Sequence, residues 1–206
     1  MEEVKKGKLF VVSGPSGAGK GAICAGLPAA TNAMLSVSMT TRAPRGNEEE
    51  GKSYFFVDKD RFREVIAEDG FFENVEVYGE YYGTPKAPVL ACLDEGRDVI
   101  LEIEVEGAAQ TKLSMPDAIL VFVLPPSLGE LRKRIESRGT ETDESIARRL
   151  ERVAMEIGQI GNYDYFIVND DLEEAIKDMI AIMRAERVRI GADHEEIINK
   201  YRASDK

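Results

Sequence analysis

A strand that runs into a glycine-rich loop and leaves it as a helix gives a chain few folds to choose from. Residues 9–21 of this sequence have that form. Leu9-Phe10-Val11-Val12-Ser13 is apolar, β-branched and too short for a helix, and Gly14-Pro15-Ser16-Gly17-Ala18-Gly19-Lys20-Gly21 follows it directly. Gly14, Gly19 and Lys20 match the GxxxxGK core of a phosphate-binding loop, in the strand–loop–helix setting that gives the motif its meaning. Glycines let the backbone turn its N–H groups inward, the helix start adds partial positive charge, and Lys20 is placed to meet the outer phosphates. One position departs from the general motif. Gly21 and Ala22 stand where a Ser or Thr would offer magnesium a hydroxyl, so Mg²⁺ would rest on nucleotide phosphates, water and a nearby carboxylate. The helix from Gly21 is expected to be short, because Gly26 is unfavourable inside it and Pro28 should end it.

The rest of the chain continues the alternation. Val99 to Ile103, Ala118 to Leu124 and Tyr165 to Val168 read as strands covered on both faces, which calls for a mainly parallel sheet. Between them, Leu128 to Ser137, Ser145 to Ile157 and Leu172 to Val188 carry apolar residues at helical spacing, the last behind an Asn169-Asp170-Asp171 cap. The expectation is an α/β, doubly wound core. The stretch from about 38 to 88 breaks this rhythm. Glycine and Tyr54, Tyr78, Tyr81 and Tyr82 accompany β-like segments at Tyr54 to Val57 and Phe71 to Val77, which suggests a small lobe inserted into the core. Residues 188–206 read as a polar C-terminal tail with a short helix around Glu195 to Tyr201.

Charge narrows the partners. Lys and Arg number 27 against 38 Asp and Glu, a net charge of −11. That argues against nucleic acid and anionic membrane as partners, since both need a basic surface. No signal-peptide core or membrane-length apolar run stands out, so the cytoplasm is the expected location. Cys24 and Cys92 read as free thiols. His194, the single histidine, lies in the polar tail and leaves no histidine triad or histidine-rich metal site.

Three further blocks carry chemistry. Ser38-Met39-Thr40-Thr41-Arg42-Ala43-Pro44-Arg45 sets two arginines beside a stiffening proline, a pair that can grip one phosphate. Glu102, Glu104 and Glu106 alternate after the apolar run Val99 to Leu101, so a continued strand would put all three on one face at the sheet's ligand-binding end. Arg134, Arg138 and Arg148-Arg149 belong to a basic run, Arg132 to Arg152, around Arg138-Gly139-Thr140-Glu141-Thr142. Most such runs are solvated helix faces, the reading kept here for Arg132, Lys133, Arg148 and Arg152.

With these blocks in this order, the sequence resembles guanylate kinase from about Gly7 to Arg187. The resemblance implies an α/β P-loop kinase with a parallel-sheet core, an inserted GMP-binding lobe and a mobile lid at about 134–150. It implies transfer of the γ-phosphate of ATP to GMP with Mg²⁺. Ser38, Glu73 and Thr84 would contact guanine, and Arg42, Arg45, Tyr54 and Tyr82 would hold the acceptor phosphate. Glu102 and Glu104 would approach the acceptor nucleoside or magnesium, Glu102 through water. Arg138 and Arg149, supported by Arg134, would meet the transferring phosphoryl group, and Asn169 would contact adenine. The family commonly has Gln where this chain has Glu106. The alternatives are a P-loop kinase for a phosphorylated sugar, which would not need Ser38, Glu73 and Thr84, and a non-catalytic guanylate-kinase-like binding module, which would not need Lys20 and the lid arginines. An enzyme impaired by the missing hydroxyl at Gly21-Ala22 is a third.

Overall fold

In the computed structural model, residues 6–136, 143–191 and 194–204 are described. The chain runs β1 (Leu9–Ser13), α1 (Lys20–Ala30), β2 (Met34–Leu35), β3 (Met39–Thr40), β4 (Phe55–Phe56), α2 (Lys59–Ala67), β5 (Phe71–Val77) and β6 (Glu80–Pro85). It continues with α3 (Lys86–Asp94), β7 (Val99–Glu102), α4 (Val105–Ser114), β8 (Ile119–Leu124), α5 (Leu128–Glu136), α6 (Asp143–Ile157), β9 (Tyr165–Val168), α7 (Leu172–Val188) and α8 (His194–Ser204).

The core sheet has the order β2-β7-β1-β8-β9 and is parallel throughout. β1 is its centre, and every residue of it is buried. Alternation divides that strand between two cores. Phe10 and Val12 point to one face with Ile23 and Leu27 of α1 and Met179 and Met183 of α7. Leu9 and Val11 point to the other, with Val89 and Leu93 of α3 and Ala108 of α4. Helices therefore cover both faces, and all the strands end on the same edge. That edge receives ligands in sheets of this kind.

Several helix starts follow local chemistry. Asp58 caps α2 by accepting from the Arg61 amide, and Asp171 caps α7 by accepting from Glu174 N. Ser127 Oγ accepts from Glu130 N at the start of α5. The expectation for Pro28 is overturned. α1 runs through it to Ala30, because a proline in the last turn forfeits one backbone bond where the helix is about to end anyway.

The second sheet has the order β4-β3-β6-β5, with β5 and β6 antiparallel. Their hairpin turns on Tyr78 and Gly79, both at positive φ (52° and 80°), the mirror-image turn that suits the twist of a two-residue connection. This sheet has its own small core, in which Phe62 of α2 stacks on Phe71 at 4.5 Å and on Tyr81 at 5.5 Å. The C-terminal segment is helical over His194–Ser204, longer than the short helix expected there.

Candidate active site

Between the end of the parallel sheet and the second sheet lies a cleft of about 320 Å³. Lys20, Ser38, Tyr54, Glu73, Tyr82, Glu102 and Glu104 all line it. Residues far apart in sequence are thus brought to one place.

The phosphate loop is shaped by backbone demands. Gly14, Gly17 and Gly19 sit at φ 138°, 91° and 93°, and a Cβ on Gly14 would stand 2.3 Å from the Val123 carbonyl oxygen of β8. Lys20 is buried, and its Nζ donates to the carbonyls of Gly14 at 2.6 Å and Pro15 at 3.4 Å, with Glu104 Oε1 at 3.9 Å. The ammonium is held at the mouth of the loop, on the cleft side.

The acidic corner differs from the expected single strand face. β7 stops at Glu102. Glu104 is already the residue before α4, and Glu106 lies in that helix's first turn. The three carboxylates come from a strand end, a cap and a helix, yet all line the cleft. Gly21 now has a physical reason, because a Cβ there would come within 3.2 Å of Glu102 Oε1. The carboxylate stands beside the place a Ser or Thr side chain would take. Partial burial raises the Glu102 carboxyl above the ordinary range, Lys20 opposes the shift and Glu104 adds to it. Burial, reinforced by Glu102, also pushes the Cys24 thiol up to about 12, so it stays protonated. Both cysteines are free and buried.

On the opposite wall Glu73 is only 7% exposed. Thr84 Oγ1 donates to its Oε1 at 2.7 Å. Burial raises the Glu73 carboxyl above its usual range, and the bonds from Thr84 pull the other way. A solvated strand carboxylate would show neither feature.

Nearby, the Arg42 guanidinium lies 5.0 Å from the centre of the Tyr54 ring, and Tyr54 and Tyr82 meet edge to face at 6.1 Å. Arg42 also donates a bidentate pair to Glu48 at 2.6 and 2.7 Å. That pairing, with the Arg45 amide bonded to the same carboxylate, lowers the Glu48 pKa to about 2. Arg45 is exposed and its side chain is not part of the cleft wall.

Two of the arginines expected in a lid lie on the other side, one of them against the loop. Arg149 Nη2 donates to Ser16 Oγ at 3.2 Å, and Arg134 Nη2 donates to the Asn169 carbonyl at 3.2 Å. Arg138 and Gly139 lie outside the described residues. Asn169 is buried, and its Nδ2 donates to the Ala18 carbonyl at 2.8 Å. A Cβ on Gly19 would meet that same nitrogen at 2.2 Å.

Three polar side chains of the cleft had no assigned role in the sequence. Arg152, read above as a solvated charge, is exposed and donates to Glu156 one turn on, and it also lines the cleft with Glu106 and Gln110. Its signal was present, since it follows Arg149 by three positions on α6 and so shares a face with it. Gln110 had no such signal.

Among the described residues no group of three or more His, Cys, Asp or Glu forms a metal cage, and no helix is long and apolar enough to cross a membrane. The oxygen donors present suit Mg²⁺ carried in on phosphates, with one carboxylate at hand.

The sequence profile of the guanylate kinase family matches residues 6–186. A guanylate kinase of Clostridium acetobutylicum is 48% identical over 195 residues, 95% of this chain and 93% of that protein. One from Thermus thermophilus is 50% identical over 186 residues, 90% of this chain and 84% of its own. The crystal structure of guanylate kinase from Anaplasma phagocytophilum superposes with a TM-score of 0.72 at 34% identity, covering 90% of this chain and 88% of that one.

Proposed function

The chain belongs to the guanylate kinase family, and from that premise we propose how its residues divide the transfer of a phosphoryl group from ATP to GMP. The observation that carries the proposal is the cleft itself. One wall holds the buried Glu73–Thr84 pair and the other holds Lys20 of the phosphate loop.

Glu73 supplies acceptors for guanine's ring N–H and exocyclic amine, with Ser38 and Thr84 beside it. Adenine presents a ring acceptor at the same edge, and a buried carboxylate repels it. Arg42, Tyr54 and Tyr82 hold the acceptor phosphate, and Arg45 approaches from solvent. Arg42 would then serve Glu48 and a phosphate together, its planar fork already oriented.

At neutral pH the acceptor phosphate is largely dianionic, since its second pKa is near 6. One of its oxygens can attack Pγ without a general base. The new O–Pγ bond forms as the bond from Pγ to the β-phosphate oxygen breaks, and ADP leaves with that electron pair. The protein's part is alignment and positive charge. Lys20 and the backbone N–H groups of the loop from Gly14 through Gly21, Pro15 having none, cradle the donor phosphates. Arg149, with Arg134 and the sequence-assigned Arg138, covers the transferring group. Mg²⁺ would be held by nucleotide phosphates and water, with Glu102 within reach, and would neutralise charge between the donor phosphates. Glu104 stands between Lys20 and the acceptor nucleoside. We assign Asn169 to supporting the loop through the Ala18 carbonyl, which leaves its second N–H and its amide oxygen for the adenine that the resemblance gives it. The substrates are those of the cytoplasmic nucleotide pool, where we place the enzyme.

A coupled assay for ADP with GMP, AMP and sugar phosphates as acceptors tests this reading. Turnover is expected with GMP far above the others. Failure to phosphorylate GMP would sink it.

A further inference from the structure

We propose that the guanine-reading carboxylate is aimed from outside its own lobe, with Gln110 and Gly107 of α4 as positioning residues for base selection. The proposal rests on the assignment of Glu73 to guanine.

The register of β5 against β6 slips by one residue. Phe71 pairs with Pro85 and Asn74 with Gly83, so Phe72 and Glu73 together face the single residue Thr84. A bulge of this kind breaks the in-and-out alternation and re-aims a side chain. Phe71, Phe72 and Glu73 are accordingly buried in succession. Thr84 can donate to Glu73 because the bulge brings the carboxylate back over the strand pair.

A bulge is also a soft point in a ladder, and here a helix of the core stiffens it. The Asn74 amide, at the bulge's far edge, donates to Gln110 Oε1 at 3.2 Å. Ser114 Oγ lies 3.4 Å from the Phe72 carbonyl. Gly107, Gln110 and Ser114 fall at i, i+3 and i+7 and so share one face of α4. At the top of that face Gly107 has no side chain, and a Cβ there would stand 3.1 Å from Glu73 Oε2 and 3.2 Å from its Cγ. The glycine answers a need for closeness, since its backbone is helical. Glu73 is thus held between Thr84 of the lobe and a bare patch of a helix that follows β7 of the core.

The test measures kcat and KM for GMP and for AMP, and KM for ATP, in three variants of α4 and in Glu73→Gln, with folding checked by thermal melting. Gln110→Met keeps the length and removes the acceptor. It should raise KM for GMP roughly five- to tenfold, the factor one such hydrogen bond supports. The GMP-to-AMP ratio of kcat/KM should fall by the same factor, with a smaller change in kcat and none in KM for ATP. Gln110→Glu keeps an acceptor and should restore most of the ratio. Gly107→Ala should lower the ratio by displacing Glu73, without removing any hydrogen-bonding group. A ratio that stays intact in Gln110→Met and Gly107→Ala while Glu73→Gln collapses it overturns the proposal alone. An equal loss for GMP, AMP and ATP also overturns it. If Glu73→Gln itself leaves the ratio unchanged, the assignment of Glu73 falls and the proposal falls with it.

Discussion

Glu73→Gln offers the sharpest test of base recognition, because the structure dictates how the new amide must point. Thr84 Oγ1 donates to Oε1 at 2.7 Å, so the amide oxygen must take the Oε1 place to keep that bond. The NH₂ group then replaces Oε2, putting a donor on the cleft wall where an acceptor stood. Guanine presents donors to that wall, and adenine presents a ring acceptor. Two charge-assisted hydrogen bonds, at about 1.5–3 kcal/mol each, are lost or weakened. That is about 3–6 kcal/mol before relaxation, and a tenfold effect per ~1.4 kcal/mol makes it roughly 10²–10⁴ in kcat/KM for GMP. Water entering the cleft should bring the observed loss toward the lower end, while AMP gains a few-fold. A second signature is pH. Burial raises the Glu73 carboxyl, so wild-type KM for GMP should rise on acidification already above the ordinary carboxylate range as the acceptor is protonated. That limb should vanish in Glu73→Gln. Adding Thr84→Val to Glu73→Gln frees the amide to turn over and should recover several-fold of the GMP activity. Steady-state kinetics with both acceptors from pH 5 to 8 decides the matter. A GMP-to-AMP ratio within threefold of wild type would refute the reasoning.

Other outcomes follow from the same geometry. The Glu48 carboxyl is depressed to about 2 in the folded protein, so its contribution is complete above the unfolded-state carboxylate range and is lost as pH falls toward 2. Glu48→Gln should flatten that part of the acid-unfolding profile and raise KM for GMP through a looser Arg42; an unaltered profile would show the pair to be idle. Gly14→Ala meets both a forbidden backbone angle and the β8 carbonyl, whereas Gly79, at φ 80°, has nothing within 4 Å of a Cβ. Thermal melting should therefore show Gly79→Ala losing about 1 kcal/mol, roughly 2–4 °C, and Gly14→Ala losing about three times as much or more; equal losses would contradict the steric account. Asn169→Ala should raise KM for ATP and for GTP by roughly five- to tenfold through a loosened loop, and a loss confined to ATP would leave Asn169 to adenine alone.

What the sequence disclosed depended on how local each signal was. β1 and the glycine loop were legible because a fully covered strand is apolar without interruption and the loop's glycines are dictated by backbone angle. The acidic corner was misread for an equally physical reason. Alternation predicts one face only while the strand lasts, and β7 ends at Glu102 with no glycine or proline to mark the change. The better cue was acidic residues at a helix start, where Glu106 meets the positive end of the helix dipole. Arg152 is the solvated charge it was read as, and its place along the cleft was not legible because periodicity marks a polar face without saying what lies opposite. Gln110 and Gly107 were out of reach altogether, since their roles depend on a one-residue slip between two strands that sequence neighbours do not record.

The hairpin tip of the second sheet has an optical consequence. Tyr78 is fully solvated, makes part of a turn whose partner glycine would have nothing within 4 Å of a Cβ, and belongs to a chain without tryptophan. An indole placed there by Tyr78→Trp would be the molecule's single such fluorophore, attached where nothing packs. Its emission would be free of background, and energy transfer to a fluorescent guanine analogue would report the distance from the tip to the bound base.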